Sequence, residues 1–338
     1  MEPKSKVTIP PGLLYIADNI KIKQNILGTS SELKAEWAKN LNLCKQSETI
    51  FFAGCGYQYT AGLESLLSLI RKMDKSLLGS ELPMTLAGIQ RKSGLDIANL
   101  YNKLTVKNIH TEGEVLIDAV KVLRNLGIDF GYLGDEEPCC GGLLHYAGME
   151  QDFINNSHRL YDKLKSLGVK QIISIVPSCT YTLKNLITQH IPSSKIEVLH
   201  FLEVVLKNIQ SITLQFPRKV KVTYHDPCQL SRYLHLIDEP RRIIQAIKNV
   251  ELIETNWTNR EWSTCCGGGG GFEAVFPELS EILAVNRAKE LCDTGAEIIV
   301  TNCPGCLMQI KSGLKKLKND VVKVLDLAQM ISTAMESK

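Results

Sequence analysis

Short apolar runs alternate with longer amphipathic stretches along most of the chain. Each run has the length of a buried β-strand, and most of them lead into a turn that contains glycine or proline. We predict strands at residues 48–55, 127–133, 171–179, about 196–199, 221–228, 250–256 and 296–306. The amphipathic stretches predict helices at about 152–167, 239–248 and 279–295, and on both sides of the strand at 196–199. A helix between two strands makes those strands parallel, so the pattern predicts an α/β fold.

Two stretches do not follow this alternation. Residues 1–48 look mostly helical, and the segment SELKAEWAKNLNL carries apolar residues at Leu33, Trp37 and Leu41. We expect this lead segment to pack on the body of the protein or on a partner. Residues 61–126 also have a helical pattern with polar interruptions, and we expect an inserted helical segment at about 62–115.

The order of cysteines relative to the strands occurs twice. Each half has one cysteine, then Cys-Cys-Gly-Gly, then a final cysteine, at the ends of successive predicted strands. This repeat predicts two duplicated, Rossmann-like halves with parallel sheets, the first half at residues 49–217 and the second half at residues 218–338. Because the carboxyl ends of parallel strands lie at one edge of a sheet, we expect cysteines that are distant in sequence to meet there.

Composition excludes several classes of protein. A formal net charge of +3, with scattered basic residues, does not suggest nucleic-acid binding. No run approaches the roughly 18 apolar residues of a membrane span. The start, MEPKSKVTIPP, lacks the apolar core of a signal peptide, which predicts a cytoplasmic protein. Eleven cysteines in that reducing compartment favour metal binding or redox chemistry over disulfides.

The second half carries five cysteines in the segments YHDPC, TCCGGGGG and TNCPGC. They are Cys228, Cys265, Cys266, Cys303 and Cys306. The two gaps are equal, because 36 residues separate the first cysteine from the pair and 36 separate the pair from the fourth. Thiolates are the softest ligands that a protein offers, and five of them together predict an iron–sulfur site. Zinc is the main alternative, although it takes four ligands and adjacent cysteines rarely both bind one tetrahedral ion.

Five glycines follow the cysteine pair directly, and they include Gly267, Gly268 and Gly269. Their lack of side chains lets backbone N–H groups approach an anionic cluster. The run lacks the spaced G-x-G-x-x-G pattern and a downstream acid, so we reject dinucleotide binding.

The first half has a less complete set of cysteines. It consists of Cys55, Cys139, Cys140 and Cys179. Thr182 stands where a fifth cysteine would be, and a threonine hydroxyl is a poor ligand for iron. The sequence leaves open whether this site holds a four-cysteine cluster, zinc or no metal. Cys44 and Cys292 fall outside the repeat, and we interpret Cys292 as a small buried apolar residue, with Cys44 a remote candidate for the missing ligand.

Several polar residues near the cysteines are candidates for function. His225 and Asp226 precede Cys228, and either hydrogen-bond the cluster sulfurs or a substrate, or complete the turn. His145 follows the first Cys-Cys-Gly-Gly and is a candidate proton donor, with a structural role as the alternative. Three arginines could offset cluster charge or belong to a solvated helix start; they are Arg232, Arg241 and Arg242.

The complete second-half motif resembles the cysteine-rich CCG domain, and the double arrangement is similar to the B-type chain of heterodisulfide reductase. The same domain occurs in the related D-type chain and in iron–sulfur components of glycolate and lactate oxidation systems. The resemblance covers residues 48–320 and extends to YHDPC with Arg232 and to Glu239, Pro240 and Arg241.

The resemblance implies halves related by a pseudo-twofold axis and a noncubane [4Fe-4S] cluster bound by the five second-half cysteines. In the reductases of this family, a disulfide held between two such clusters is cleaved in one-electron steps. Thr182 departs from that pattern, so it puts the first cluster and the heterodisulfide substrate in doubt.

Three functions follow as hypotheses. The first is a redox subunit that takes electrons from a partner and reduces a disulfide or a related sulfur substrate. The second is an electron-transfer subunit that links a flavoprotein dehydrogenase to a quinone or another carrier. The third is a zinc-bound scaffold subunit. The chain has no ferredoxin-type C-x-x-C-x-x-C run, so we expect ferredoxin-like iron–sulfur and flavin-containing partners to supply the electrons.

Overall fold

The computed structural model of the protein describes residues 9–28, 31–59 and 113–336. The helical pattern at residues 61–112, and with it almost all of the predicted insertion, lies outside the described residues.

The first half contains a parallel sheet in the order β1-β2-β3. These strands are β1 (Thr49–Phe52), β2 (Gln171–Ser174) and β3 (Glu197–His200). Ile50 of β1 lies opposite Ile172 of β2, which in turn lies opposite Val198 of β3, and all three side chains are buried. Continuous apolar runs of this kind are typical of parallel strands that are covered on both faces.

The prediction of a strand at residues 127–133 is wrong. The structure forms one parallel bridge there, between Gly131 and Ile50. The N–H of Phe51 donates to the carbonyl of Gly131 at 2.8 Å, but the N–H of Tyr132 donates to the carbonyl of Cys44, also at 2.8 Å. Because the lead segment accepts the N–H of Tyr132, the hydrogen-bond ladder between residues 127–133 and β1 ends after one bridge.

The second half contains a parallel sheet in the order β5-β4-β6-β7. Its strands are β4 (Gln215–Tyr224), β5 (Lys248–Leu252), β6 (Ile298–Thr301) and β7 (Lys323–Asp326). The first three correspond to predicted strands, whereas β7 was not predicted. The two parallel sheets confirm the predicted α/β fold class.

Helices connect and cover these strands. The long ones predicted from periodicity are α5 (Glu150–Ser166), α9 (Asp238–Gln245) and α11 (Pro277–Cys292). The others are α1 (Pro11–Lys23), α2 (Gly54–Gln58), α3 (Glu114–Asn125), α4 (Gly142–Tyr146), α6 (Pro177–Tyr181), α7 (Ile187–His190), α8 (Phe201–Asn208), α10 (Phe272–Val275), α12 (Pro304–Lys316) and α13 (Leu327–Glu336). Cys179 therefore lies within α6 and not at the end of the preceding strand.

The lead segment forms α1 and a 3-10 helix at Ser31–Ala38. Helix α1 contacts both halves. Lys21 pairs with Asp152 of α5 at 3.1 Å, while Leu13 packs so closely on Gly271 that a Cβ there would lie 2.4 Å from it. Of the two alternatives for the lead segment, packing on the body or on a partner, the structure shows contacts with the body.

The last helix makes the reverse connection, from the second half to the first. Helix α13 belongs to the second half by sequence but packs on α3 of the first, where the hydroxyl of Ser332 donates to Asp118 at 2.8 Å. The halves are thus interlocked, and the predicted boundary at residues 217 and 218 stays a prediction. None of the described helices has the length and apolarity that crossing a membrane requires.

Candidate metal centre

The five second-half cysteines meet at the carboxyl edge of their sheet. Sγ of Cys266 and Sγ of Cys306 lie within 4.8 Å of each other. Cys265 is close enough to Cys266, and Cys303 to Cys306, for each pair to shift the pKa of a thiol. Cys228 lies near enough to Cys303 and Cys266 for their charges to act on it. All eleven cysteines of the chain are among the described residues, and each is a free thiol.

Crowding makes these thiols unequal. Burial raises the pKa of Cys228 to about 11, with a smaller effect from Cys303 and Cys266. Contact with Cys266 raises the pKa of Cys265 and of Cys306, and the same contacts lower the pKa of Cys266. One thiolate is therefore favoured at the expense of its neighbours. A multiply charged metal centre removes this conflict, because thiols are deprotonated when they bind a metal.

The glycine run covers the turn that carries Cys303 and Cys306. A Cβ at Gly268 would lie 2.8 Å from Cγ of Gln309, and one at Gly305 would lie 3.9 Å from Sγ of Cys303. The N–H of Gly267 donates to Sγ of Cys265 at 3.3 Å. The backbone of the glycine run therefore lies close to the cysteines, and its approach to a bound cluster stays a prediction.

His225 and Asp226 point to different partners. Asp226 is buried and forms a two-pronged ion pair with Arg241, with N–O distances of 2.7 and 2.9 Å. Arg241 also pairs with Glu254 at 2.6 Å. Asp226 and Arg241 therefore fix the turn before Cys228, and the alternative that placed Arg241 in a solvated helix start is wrong.

The two other arginine candidates lie at the surface. Arg232 donates to the backbone carbonyls of Glu261 and Ser263, and so holds the segment before the cysteine pair. Its charge lowers the pKa of Cys228 only as a minor effect, after burial. Arg242 is exposed.

His225 lies against the sulfurs. One of its ring nitrogens and the Sγ atoms of Cys266 and Cys306 all lie within 4.8 Å of one another. Its Nδ1 accepts a hydrogen bond of 3.0 Å from Nε of Arg287, and its Nε2 is buried without a hydrogen-bond partner among the described residues. Burial lowers the pKa of His225, and Nδ1, which accepts from Arg287, carries no proton.

Two residues of this site were not predicted. Arg287 lies in the middle of α11, where nothing in the spacing distinguishes it from a surface arginine. Gln309 follows Cys306 by three residues on α12 and so faces the same side of the helix, which is a signal that could have found it. Its side chain is buried, and both polar atoms of its amide lack a partner among the described residues.

The four first-half cysteines also come together. Sγ of Cys55 lies 3.8 Å from Sγ of Cys139, and Sγ of Cys140 lies 3.3 Å from Sγ of Cys179. The N–H of Gly141 donates to Sγ of Cys139 at 3.5 Å, which repeats the bond from Gly267 to Cys265 in the second half.

Thr182 adjoins this group. Its hydroxyl donates to the carbonyl of Ser178 at 2.7 Å, and a Cβ at Gly142 would lie 2.6 Å from its oxygen. Glu137 was also not predicted, although it directly precedes the Pro-Cys-Cys segment; it accepts from the N–H groups of Ala53 and Gly54, and burial raises its pKa to about 7.

The two groups of cysteines adjoin each other. A Cβ at Gly56, next to Cys55, would lie 2.4 Å from Cγ of Pro304, next to Cys303. Tyr57 donates to the buried carboxylate of Asp326 across the same contact, and its pKa is raised by burial, by Asp326 and by Cys303. The sulfurs of the two halves are therefore separated by packed protein at this point.

The remaining candidates lie elsewhere. Nδ1 of His145 is 3.4 Å from the carboxylate of Glu150, and its ring packs against Phe153; within the described residues it has no hydrogen bond to a cysteine. Cys44 is exposed, and Cys292 is half-buried beside Asn319. The interpretation of Cys292 as a small buried apolar residue is wrong in part, because the residue is half-buried and Nδ2 of Asn319 donates to its sulfur at 3.5 Å.

A cavity of about 480 Å³ opens beside Cys265. Its walls include the charged side chains of Arg287, Lys289 and Glu290 from α11. Cys265, which is exposed, is among the residues that line this cavity.

Sequence comparison identifies the same two regions. The family model described as the cysteine-rich domain CCG matches residues 105–184 and 222–311, which together make up half of the chain. The first match begins after Cys55, and the second includes all five second-half cysteines.

Curated relatives are redox proteins. The D-type chain of dihydromethanophenazine:CoB–CoM heterodisulfide reductase from Methanosarcina barkeri is 29% identical over 64% of this chain and 54% of its own length. The EtfAB:quinone oxidoreductase of Syntrophomonas wolfei is 35% identical over 66% of this chain and 32% of its own length. The chain thus spans about half or less of these relatives. A hypothetical protein of known structure from Helicobacter pylori aligns over 66% of this chain and 46% of its own, with 15% identity and a TM-score of 0.49, which is too distant to inform the function.

Proposed function

Since this chain belongs to the family of proteins built on the cysteine-rich CCG domain, we propose that it is an iron–sulfur redox subunit of a heterodisulfide-reductase-like complex. In this proposal it accepts electrons from an iron–sulfur or flavin-containing partner and reduces a disulfide or a related sulfur substrate at a noncubane [4Fe-4S] cluster in the second half. The names of the relatives support redox chemistry in general. A cytoplasmic location belongs to the proposal.

One observation carries it: five free thiols meet in one place at the edge of a parallel sheet. Their number exceeds what one tetrahedral zinc ion takes, which supports a cluster. The orphaned Nε2 of His225 and the orphaned amide of Gln309 also support a bound group, because buried polar atoms normally have partners. The residues of the second half thus fit an iron–sulfur cluster.

The chain supplies the ligands and the surroundings of that cluster. When bound, the cluster supplies one-electron reduction. The five cysteines hold it, and the glycine run lies beside them, with Gly268 packed closely against Gln309. In this proposal a substrate reaches the site through the cavity at Cys265, whose wall combines the cationic side chains of Arg287 and Lys289 with the acidic side chains of Glu290 and Asp293.

An electron-transfer subunit without a substrate of its own is the second candidate. The two halves are closely packed where Gly56 contacts Pro304. There is therefore no space at that point for a substrate between the two groups of cysteines. In addition, Trp262 lies three residues before Cys265 and is 69% exposed, which suits the docking of a carrier close to the site.

For the first half we propose a site of four thiols. Thr182 adds no fifth ligand, because its hydroxyl stays protonated and donates a hydrogen bond to the carbonyl of Ser178. Four cysteines suit zinc or a four-ligand cluster equally well.

The test is anaerobic purification followed by a count of iron, sulfide and zinc per chain and by electron paramagnetic resonance. About four irons in the wild-type chain indicate the second-half cluster alone, and about eight indicate clusters in both halves. We expect Cys306→Ser to lose the second-half signal and about four irons, because it removes a buried ligand.

Cys292→Ser is the matched control, since Cys292 is a free cysteine outside the site. It should keep the iron and the signal. Zinc without iron in the wild-type chain would overturn the proposal in favour of a zinc-bound scaffold, the third candidate. Oxidation of the reduced protein by 2-hydroxyethyl disulfide in stopped flow supports the enzyme, whereas no reaction favours the electron-transfer role.

A further inference from the structure

Arg287 is held from several sides at the base of the second-half site. It is almost completely buried, with 1% of its surface exposed. Its Nη1 donates to Glu290 at 2.7 Å and its Nη2 to the hydroxyl of Ser263 at 3.2 Å. Its Nε donates to Nδ1 of His225 at 3.0 Å. The guanidinium therefore has a fixed position relative to the histidine ring.

This contact determines where the proton of His225 lies. A guanidinium can donate hydrogen bonds but cannot accept them, and it stays charged at any ordinary pH. Nδ1 of His225 must therefore present its lone pair to Arg287. In a neutral imidazole the single proton is then on Nε2.

Nε2 is the ring nitrogen that is left to face the neighbouring sulfurs, because Nδ1 is taken by Arg287. Nε2 is buried and has no hydrogen-bond partner among the described residues, and a ring nitrogen of His225 lies within 4.8 Å of Sγ of Cys266 and of Cys306. A nitrogen that carries its proton has no lone pair for a metal. His225, Cys266 and Cys306 are thus close enough for a three-ligand metal site, but the proton makes His225 a donor and not a ligand.

We propose that Arg287 positions His225 as a hydrogen-bond donor to the cysteine sulfurs of the second-half centre, where His225 tunes the reduction potential without binding the metal. The inference rests on the proposed iron–sulfur function. A donor to sulfur stabilises the more negative, reduced state of a cluster, and so raises its reduction potential. Arg287 acts through His225 and is a positioning residue.

The first test uses the wild-type protein, so it does not depend on a variant that folds. In pulsed electron paramagnetic resonance of the reduced centre, we expect only weak coupling to a histidine nitrogen and a nearby proton that exchanges in D₂O. Strong nitrogen coupling, as from an imidazole bound to iron, would overturn the inference.

The second test measures the reduction potential of variants. His225→Leu removes the donor, and we expect the equilibrium constant for one-electron reduction to fall about tenfold, which corresponds to a shift of about 59 mV to more negative potential. His225→Gln keeps an N–H donor and should recover part of the shift. His158→Leu, at an exposed histidine of α5, is the control and should leave the potential unchanged.

Arg287→Lys tests the positioning role because it keeps the charge but loses the planar N–H that meets Nδ1. We expect a shift in the same direction as that of His225→Leu, and no further shift when the two changes are combined. Additive shifts would mean that Arg287 acts independently of His225. Iron content and thermal unfolding show that each variant is folded and loaded.

The outcomes separate the two proposals. If the wild-type chain binds no iron, the proposed function and this inference are both rejected. If it binds iron but His225→Leu leaves the potential where it was, only the role of His225 is rejected.

Discussion

Gly267 and Gly295 have similar backbone conformations but very different surroundings. Their φ angles are +88° and +75°, both in the left-handed region that favours glycine. A Cβ at Gly267 would lie 2.3 Å from the carbonyl oxygen of Ser280, whereas a Cβ at Gly295 meets nothing within 4 Å. At the scale of single residues, the loop after the cysteine pair is therefore fixed by contact as well as by φ.

We expect Gly267→Ala to displace the loop and reduce the iron content, because the backbone of α11 cannot move away from the new methyl group. Gly295→Ala shares the cost of the left-handed conformation, about 1–2 kcal/mol, without the collision. Iron per chain and the urea midpoint of both variants provide the measurement. Equal loss of iron in both variants would contradict the role given to the close contact.

At the scale of secondary-structure elements, the junction of β7 and α13 places the carboxyl group of Asp326 at the contact between the halves. Asp326 ends β7, and its Oδ1 accepts from the N–H of Ala328 at 2.9 Å in the first turn of α13. Its other oxygen accepts from Tyr57, which follows Cys55 in α2. Burial raises the pKa of Asp326 to about 7, compared with 3.8 for a free aspartate. A strand, a helix and the first cysteine turn thus share one carboxylate.

This raised pKa predicts a pH dependence of stability. The unfolded carboxyl loses its proton near pH 3.8 and the folded one near pH 7, so Asp326 reduces the stability progressively as the pH rises between these values. Asp326→Asn lacks this effect. From pH 5 to pH 8 we expect the free energy of unfolding of the variant to improve relative to wild type by roughly 3 kcal/mol.

Urea unfolding at both pH values measures the difference. Asp320→Asn, at an exposed aspartate just before β7, is the control and should show no such trend. A constant difference between Asp326→Asn and wild type at both pH values would disprove the raised pKa.

At the scale of the whole molecule, each half is covered by an element from the other. Helix α1 lies on α5 in the first half and reaches Gly271 in the second, while α13 returns from the second half to α3. Ile331 of α13 is fully buried in the common core, whereas Val321 just before β7 is 85% exposed. The halves should therefore unfold together.

We expect Ile331→Ala to cost about 2–5 kcal/mol and to lower the midpoints of both halves equally. Trp37 fluorescence reports on the first half in a Trp257→Phe/Trp262→Phe background, where it is the sole tryptophan. Visible absorption of the bound centre reports on the second half. Val321→Ala should change neither midpoint, and two separate transitions in Ile331→Ala would show that the halves are independent.

The sequence predicted the parts of the fold that depend on local pattern. Apolar runs located six of the seven described strands, and the equal cysteine spacing grouped five residues that the structure brings together. The sequence-based prediction failed where a residue distant in sequence determines the hydrogen bonding. Residues 127–133 have a strand pattern, but the carbonyl of Cys44 accepts the N–H of Tyr132. Strand β7 was missed because KVLD is short and follows a polar turn.

The order of strands and cysteines along the chain determined by itself that two sets of thiols gather at sheet edges, since parallel strands that follow one another share that edge. Only the tertiary structure decided what surrounds them. Arg287 and Asp326 come from a helix and a strand whose patterns carry no chemical signal, while the spacing of Gln309 from Cys306 gives its helix face but not the burial of its amide. Their roles arise from burial, which makes an unpaired N–H or carboxylate costly and so fixes its partner.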